Sequence, residues 1–210
     1  VQSDAIARYK RLQNKDVFYL VGTDENSLKN VQAAEGVSKP VKEFVDEQAQ
    51  HFIDLRNSLN LSFNGFVRTT EARHFSGAQK LLSAFNPDDI EKRTYKGLYC
   101  VGCEMFYTED ELAEGLCPEH KKAPEVVEEE NYFFKLSKPE YGQKLTDLIT
   151  SDTIKIVPEF RKNEVLAFIA RSLEDFSISR SQERARGWGV PVPGDSTQIM
   201  YVWFDALANY

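Results

Sequence analysis

The chain has 210 residues, 41% of them apolar and 28% charged, with a net charge of −7. That composition supports a buried core and excludes a disordered chain, and no apolar run approaches the roughly 18 to 20 residues of a membrane helix. The acidic balance excludes a surface that grips nucleic acid all over, since phosphate binding needs excess Lys and Arg, and leaves only a local basic face.

In chain order, Ile6, Tyr9 and Leu12 recur at helical spacing close behind Val1, without an initiator Met or signal peptide, and Asp205 to Tyr210 reads as a helix start without a stop signal. Both termini are therefore expected to be cut from something longer. Val17 to Val21 (VFYLV) predicts a parallel strand buried on both faces, ending at Gly22. Thr23 and Asp24 then offer cap side chains to a helix carrying Leu28, Val31 and Ala34 and closing at Gly36. Ser38 and Pro40 open a second helix, whose stripe from Val41 through Phe44, Val45, Phe52 and Leu55 to Leu59 reads as core packing. Residues 71 to 85 predict another helix, and helices between buried strands imply a doubly wound α/β domain.

From about Ile90 the texture changes to short aromatic strands, paired cysteines and an acidic stretch, Glu125 to Glu130, which reads as a solvated loop in an inserted subdomain. Helices follow at about 140–149 and 158–173, and Gly and Pro punctuate an irregular segment over 187–194. Met200 to Phe204 predicts a second buried strand returning to the first sheet.

Cys100, Cys103, Cys117 and His120 form Cys-x2-Cys, thirteen intervening residues, then Cys-x2-His. Two knuckles of two ligands each complete the four soft or borderline ligands of tetrahedral zinc, with Gly102 and Pro118 suiting the tight turns. Three cysteines cannot pair without a remainder, so a metal site in a reducing compartment, the cytoplasm, is preferred to a disulfide framework. A Cys3His set leaves no open position, so the zinc is structural and its loss should unfold the insertion. The rivals are buried small thiols beside an exposed histidine, and a redox Cys-x-x-Cys that leaves Cys117 and His120 unexplained.

Open parallel sheets collect ligands at the carboxyl ends of their strands. Asp24 follows the first strand, where a carboxylate could hold an ammonium or a ribose, or only cap a helix. Trp203, followed by Asp205 and Tyr210, could wall an apolar pocket suited to a thioether, or be an ordinary core residue. Arg180, with Arg184 and Arg186, could clamp a phosphate or carboxylate, or belong to a solvated face.

The strings GTDEN (22–26), FVRTTEARH (66–74), YKGLYCVGCEMFYTEDEL (95–112), CPEH (117–120), EEENYFFKLS (128–137), DFSISR (175–180), GWGVPVPGD (187–195) and YVWFDALANY (201–210) resemble methionyl-tRNA synthetases in order and spacing, through nearly the whole chain. The resemblance implies a class I synthetase fold: an incomplete Rossmann-type parallel sheet, residues 1–87 and 197–210, interrupted over 88–196 by a zinc-binding connective-peptide insertion. It implies activation of methionine with ATP and Mg to methionyl-adenylate, and transfer of the methionyl group to tRNA(Met). Asp24 should hold the α-ammonium of methionine, Arg180 should lie nearby and support that carboxylate and the reacting groups, and Trp203, Ala206 and Tyr210 should line the side-chain pocket. No membrane partner is expected.

The sequence departs from the family pattern at Asn26, where His is usual, at Ser27, where Gly is common, and at Leu207, where some relatives have Pro. The HIGH-type signature and the KMSKS-type loop, which bind the ATP phosphates, lie outside the chain, so the isolated polypeptide is expected to make no adenylate. The alternatives are a free-standing zinc module that binds RNA or a protein, and a sister synthetase for cysteine or leucine.

Overall fold

The computed structural model describes residues 1–209. In the first helix, α1 (Gln2–Leu12), the predicted apolar stripe of Ile6, Tyr9 and Leu12 faces outward. Asp4, not the stripe, ties α1 down: its buried carboxylate accepts hydrogen bonds from the Ser62 backbone N–H at 2.6 Å, the Ser62 hydroxyl at 2.7 Å and Arg8 Nε at 2.6 Å. These bonds hold the carboxyl far below the usual carboxylate range.

The paired part of the first strand, β1 (Leu20–Thr23), runs parallel to β2 (Gly65–Arg68), with Leu20 opposite Gly65 and Thr23 opposite Arg68. The strand predicted at Val17–Val21 is therefore shifted toward its C-terminus, because the register of β2 decides which residues pair. It is not buried on both faces: Phe18 is 75% and Leu20 43% exposed, since β2 is the sole partner of β1 among the described residues.

Between these strands lie α2 (Leu28–Gly36) and α3 (Val41–Ser58), and α4 (Ala72–Ser83) follows β2, all close to their predicted spans. The α2 cap is Ser27, whose hydroxyl accepts from the Asn30 N–H; Thr23 and Asp24 lie too early to serve, and Thr23 instead donates to Glu25 at 2.5 Å.

The insertion is antiparallel. Its sheet has the order β4 (Met105–Tyr107), β3 (Ile90–Cys100), β5 (Glu125–Phe134), β6 (Phe176–Ser177). The acidic stretch 125–130 is thus a strand and not a loop. Lys96 on β3 stands opposite Glu128, its Nζ 3.7 Å away, and Lys92 Nζ reaches Glu130 at 3.0 Å, while Val127, Asn131 and Phe133 alternate inward. Helices α5 (Pro139–Thr150) and α6 (Arg161–Ala170) follow. The chain then forms a second antiparallel sheet of order β7 (Ser179–Ser181), β9 (Asp195–Met200), β8 (Pro191–Val192).

The predicted strand Met200–Phe204 does not form. Strand β9 ends at Met200 and pairs antiparallel with β7 and β8, never with the parallel pair, and α7 (Val202–Leu207) begins at once. Val202, Phe204 and Asp205 are buried while Trp203 is exposed, a helical distribution that so short an apolar run cannot announce. The main core gathers Ala78 and Leu82 of α4, Phe204 of α7, and Ile178, Val190, Val192 and Met200 around the second antiparallel sheet. It welds the α/β part to the insertion, so the two are not separate packing units. Among the described residues no helix is long and apolar enough to cross a membrane.

Candidate functional site

The hairpin between β3 and β4 presents Cys100 and Cys103, and the turn after the Ala113–Leu116 bridge presents Cys117 and His120. All four ligand atoms lie within 4.8 Å of one another. His120 Nδ1 is 3.2 Å from Cys103 Sγ and 3.9 Å from both Cys100 and Cys117 Sγ, and the Cys103 and Cys117 sulfurs are 3.5 Å apart. A tetrahedral zinc with its usual bond lengths has edges of about 3.5 to 3.8 Å, so the cage matches such an ion, and the sulfurs are too far apart for a disulfide. Burial pushes the Cys117 thiol up, but the His120 backbone N–H and ring bring it down to about 6, toward the thiolate that a metal requires. The Tyr107 hydroxyl donates to Cys103 Sγ at 3.1 Å, a supporting contact no motif announced. The donor set fits a structural metal ion: all four positions are filled by protein.

The second feature is the loop after β1. Glu25 is buried and accepts from Arg68 Nε at 2.7 Å and Nη2 at 2.9 Å, and from the Thr70 hydroxyl. Its backbone is held by Thr69 Oγ1 at 2.8 Å and by Trp188 Nε1 at 2.9 Å. With Glu25 pinned inward, Asp24 lines an open cleft of about 230 Å³ with Gly22, Thr23, Asn30, Gln48 and Phe52, accessible at its edge but with protein around its carboxyl. The surrounding protein, then the negative charges of Asp205 and Glu104, push the Asp24 carboxyl up to about 7. A carboxylate held that way favours a cation beside it.

Asp205, wholly buried, accepts from Asn26 Nδ2 at 3.0 Å and lies 3.3 Å from His74 Nε2. Burial works against a charged imidazole, but the Asp205 and Asn209 side chains and the charge of Asp24 outweigh it and raise His74 above its ordinary range. His74 closes the string FVRTTEARH, but no role for it was legible in sequence: a lone histidine in a helix carries no signal of its partners.

The chain matches the family of class I tRNA synthetases of the M type over residues 1–123 and 120–210. It is 42% identical over 215 residues to the methionine–tRNA ligase of Thermotoga maritima and 42% identical over 212 residues to that of Clostridium acetobutylicum, with 100% of this chain covered in each case. The chain belongs to the class I tRNA synthetases. It spans about a third of those relatives' length, 33% and 32%. The Mycobacterium tuberculosis methionyl-tRNA synthetase bound by methionyl-adenylate superposes with a TM-score of 0.87 at 40% identity, over 99% of this chain and 41% of that one. The apo form of the same enzyme gives 0.77.

Within this synthetase fold the residues expected at the substrate site are only partly brought together. Arg180 does not reach Asp24. Its guanidinium lies 4.0 Å over the Tyr201 ring and 5.3 Å from that of Phe106, and Nη1 donates to Ser177 Oγ at 2.7 Å and Ser179 O at 2.8 Å. The Tyr201 and Phe106 rings, the Ser177 hydroxyl and the Ser179 carbonyl hold it there. Arg184 likewise stacks 4.0 Å over Tyr99, so neither it nor Arg180 belongs to a solvated face, whereas Arg186 is exposed and makes a surface ion pair with Glu35. Trp203 is 56% exposed and, like the half-buried Ala206, stands off the Asp24 cleft. Tyr210 lies outside the described residues.

Proposed function

We propose that this chain carries part of the catalytic core of a methionine–tRNA ligase: ATP-dependent activation of methionine to methionyl-adenylate, then transfer to tRNA(Met), in a protein of the relatives' length in the cytoplasm. The observation that carries the reading is the end-to-end match, at 42% identity, to methionine–tRNA ligases, joined to the fold shared with a synthetase solved with methionyl-adenylate. The free-standing module is the weaker reading, since every stretch of the chain falls within that family match.

In this proposal Asp24 receives the α-ammonium of methionine, and an incoming cation favours its ionised form. Trp203, Ala206 and Tyr210 line the side chain of the substrate, the indole face suiting a thioether. Arg180, held on Tyr201, reaches the amino acid only if its side chain leaves that ring, and we assign it a supporting role toward the carboxylate. Cys100, Cys103, Cys117 and His120 hold one structural zinc, and Mg accompanies ATP. The deciding experiment is methionine-dependent ATP–pyrophosphate exchange by the protein of the relatives' length. Exchange driven by another amino acid, or none, defeats the reading.

A further inference from the structure

The two groups of residues assigned above to methionine sit on different elements: Asp24 on the loop after β1, Trp203 and Ala206 on α7. One buried hydrogen bond spans them. Asn26, two residues after Asp24, donates from Nδ2 to Oδ2 of Asp205, which is flanked by Trp203 and Ala206, at 3.0 Å. The same amide nitrogen donates to Thr69 O at 2.9 Å, which fixes the plane of the Asn26 side chain.

We infer that His74 is a positioning residue for the amino-acid site: it orients Asp205, and through it holds α7 against the loop that carries Asp24. The inference rests on the methionine reading given above. Asp205 is 0% exposed, and a buried carboxylate needs a partner for each oxygen. Asn26 occupies Oδ2, and His74 Nε2, at 3.3 Å, is the group facing Oδ1. Among the described residues no Lys or Arg pairs with Asp205, so His74 is the one cation available to it.

The ring serves in either charge state. Nε2–H points to Asp205, while Nδ1 faces the side chain of Asn209 at 3.3 to 3.4 Å, where the amide can present its N–H2 to a neutral ring or its oxygen to a charged one. Without His74, Oδ1 is left bare in the interior. The carboxylate is then free to turn from Asn26, and the two halves of the pocket lose their tie.

The test uses the protein of the relatives' length as wild type, His74→Ala, His74→Gln and Asp205→Asn, measuring methionine binding by calorimetry, separate KM values for methionine and ATP in pyrophosphate exchange, and melting temperature. His74→Ala should weaken methionine binding and raise its KM by roughly tenfold while moving the ATP KM less than about twofold. His74→Gln, whose amide can still donate to Oδ1, should recover most of the loss. Should His74→Ala not fold, Asp205→Asn, equal in size, should show the same selective weakening. Unchanged methionine affinity, or methionine and ATP constants that worsen together in step with melting temperature, would overturn the inference and leave the ligase reading intact. A wild type that binds no methionine would overturn both.

Discussion

Replacing Gly102 by Ala separates a metal cage from a chance cluster of thiols. A Cβ built on Gly102 falls 2.5 Å from His120 Cδ2 and 2.6 Å from Cγ and Nε2. Ordinary contact begins near 3.4 Å, so the imidazole must retreat by 3.4 − 2.5 = 0.9 Å. His120 is an exposed side chain. Unligated, it would swing aside at little cost, and the substitution would pass unnoticed. Ligated, its Nδ1 must stay about 2.0 to 2.1 Å from the ion, and a displacement of nearly half that length breaks or badly strains the bond. By analogy with disturbed supporting shells, Gly102→Ala should cost roughly 10- to 100-fold in zinc affinity, read by competition with a chromogenic chelator, and should lower the melting temperature when metal is limiting. Gly77→Ala is the control: it lies within α4 with no atom near the new methyl, and should stabilise by about 0.5 to 1 kcal/mol with no change in metal affinity. A Gly102→Ala protein that keeps one zinc at wild-type affinity would refute the ligation of His120 inferred from the geometry.

Chelation of the wild type should unfold the hairpin between β3 and β4 and the Cys117 turn, seen as lost amide protection over residues 100–120, whereas β1 and β2 should keep theirs. The carboxyl of Asp24 titrates at about 7 in the fold against an ordinary value of 3.8, so between those values the folded state binds more protons and stability falls as pH rises. Asp24→Asn should therefore melt higher than wild type at pH 8 and like it at pH 3, while abolishing methionine binding; equal melting at both would disprove the shift. For Asp4 the sign is opposite. Its carboxyl is lowered by Ser62 and Arg8, so its contribution is present above the ordinary carboxylate range and fades on acidification, and Asp4→Asn should flatten the acid limb of a pH–melting curve. Trp203→Ala should weaken methionine binding by roughly tenfold with little loss of stability, because the indole is exposed in this chain; unchanged affinity would remove Trp203 from the pocket.

The clustering of Cys100, Cys103, Cys117 and His120 and the helices α2 to α6 were legible from sequence because each rests on spacing within one short stretch: two Cys-x2 knuckles, or an apolar stripe at helical period. The motif strings likewise named the family before any contact was seen. What sequence could not carry was decided between distant stretches. The register of β1 depended on β2, forty-five residues on, and the acidic run became a strand because Thr94 to Tyr99 of β3 pair with it, Lys96 standing opposite Glu128 and Lys92 reaching Glu130 diagonally. Trp203 went to a helix because β9 exhausted its pairing with β7 and β8 at Met200. Arg180 left the cleft for the Tyr201 ring, and Asn26, His74 and Asp205 became partners, only when the core of α4, α7 and the second antiparallel sheet closed. Local periodicity reports which face of an element is apolar. Which polar group meets which is set by packing across the chain, and only the tertiary structure decided it.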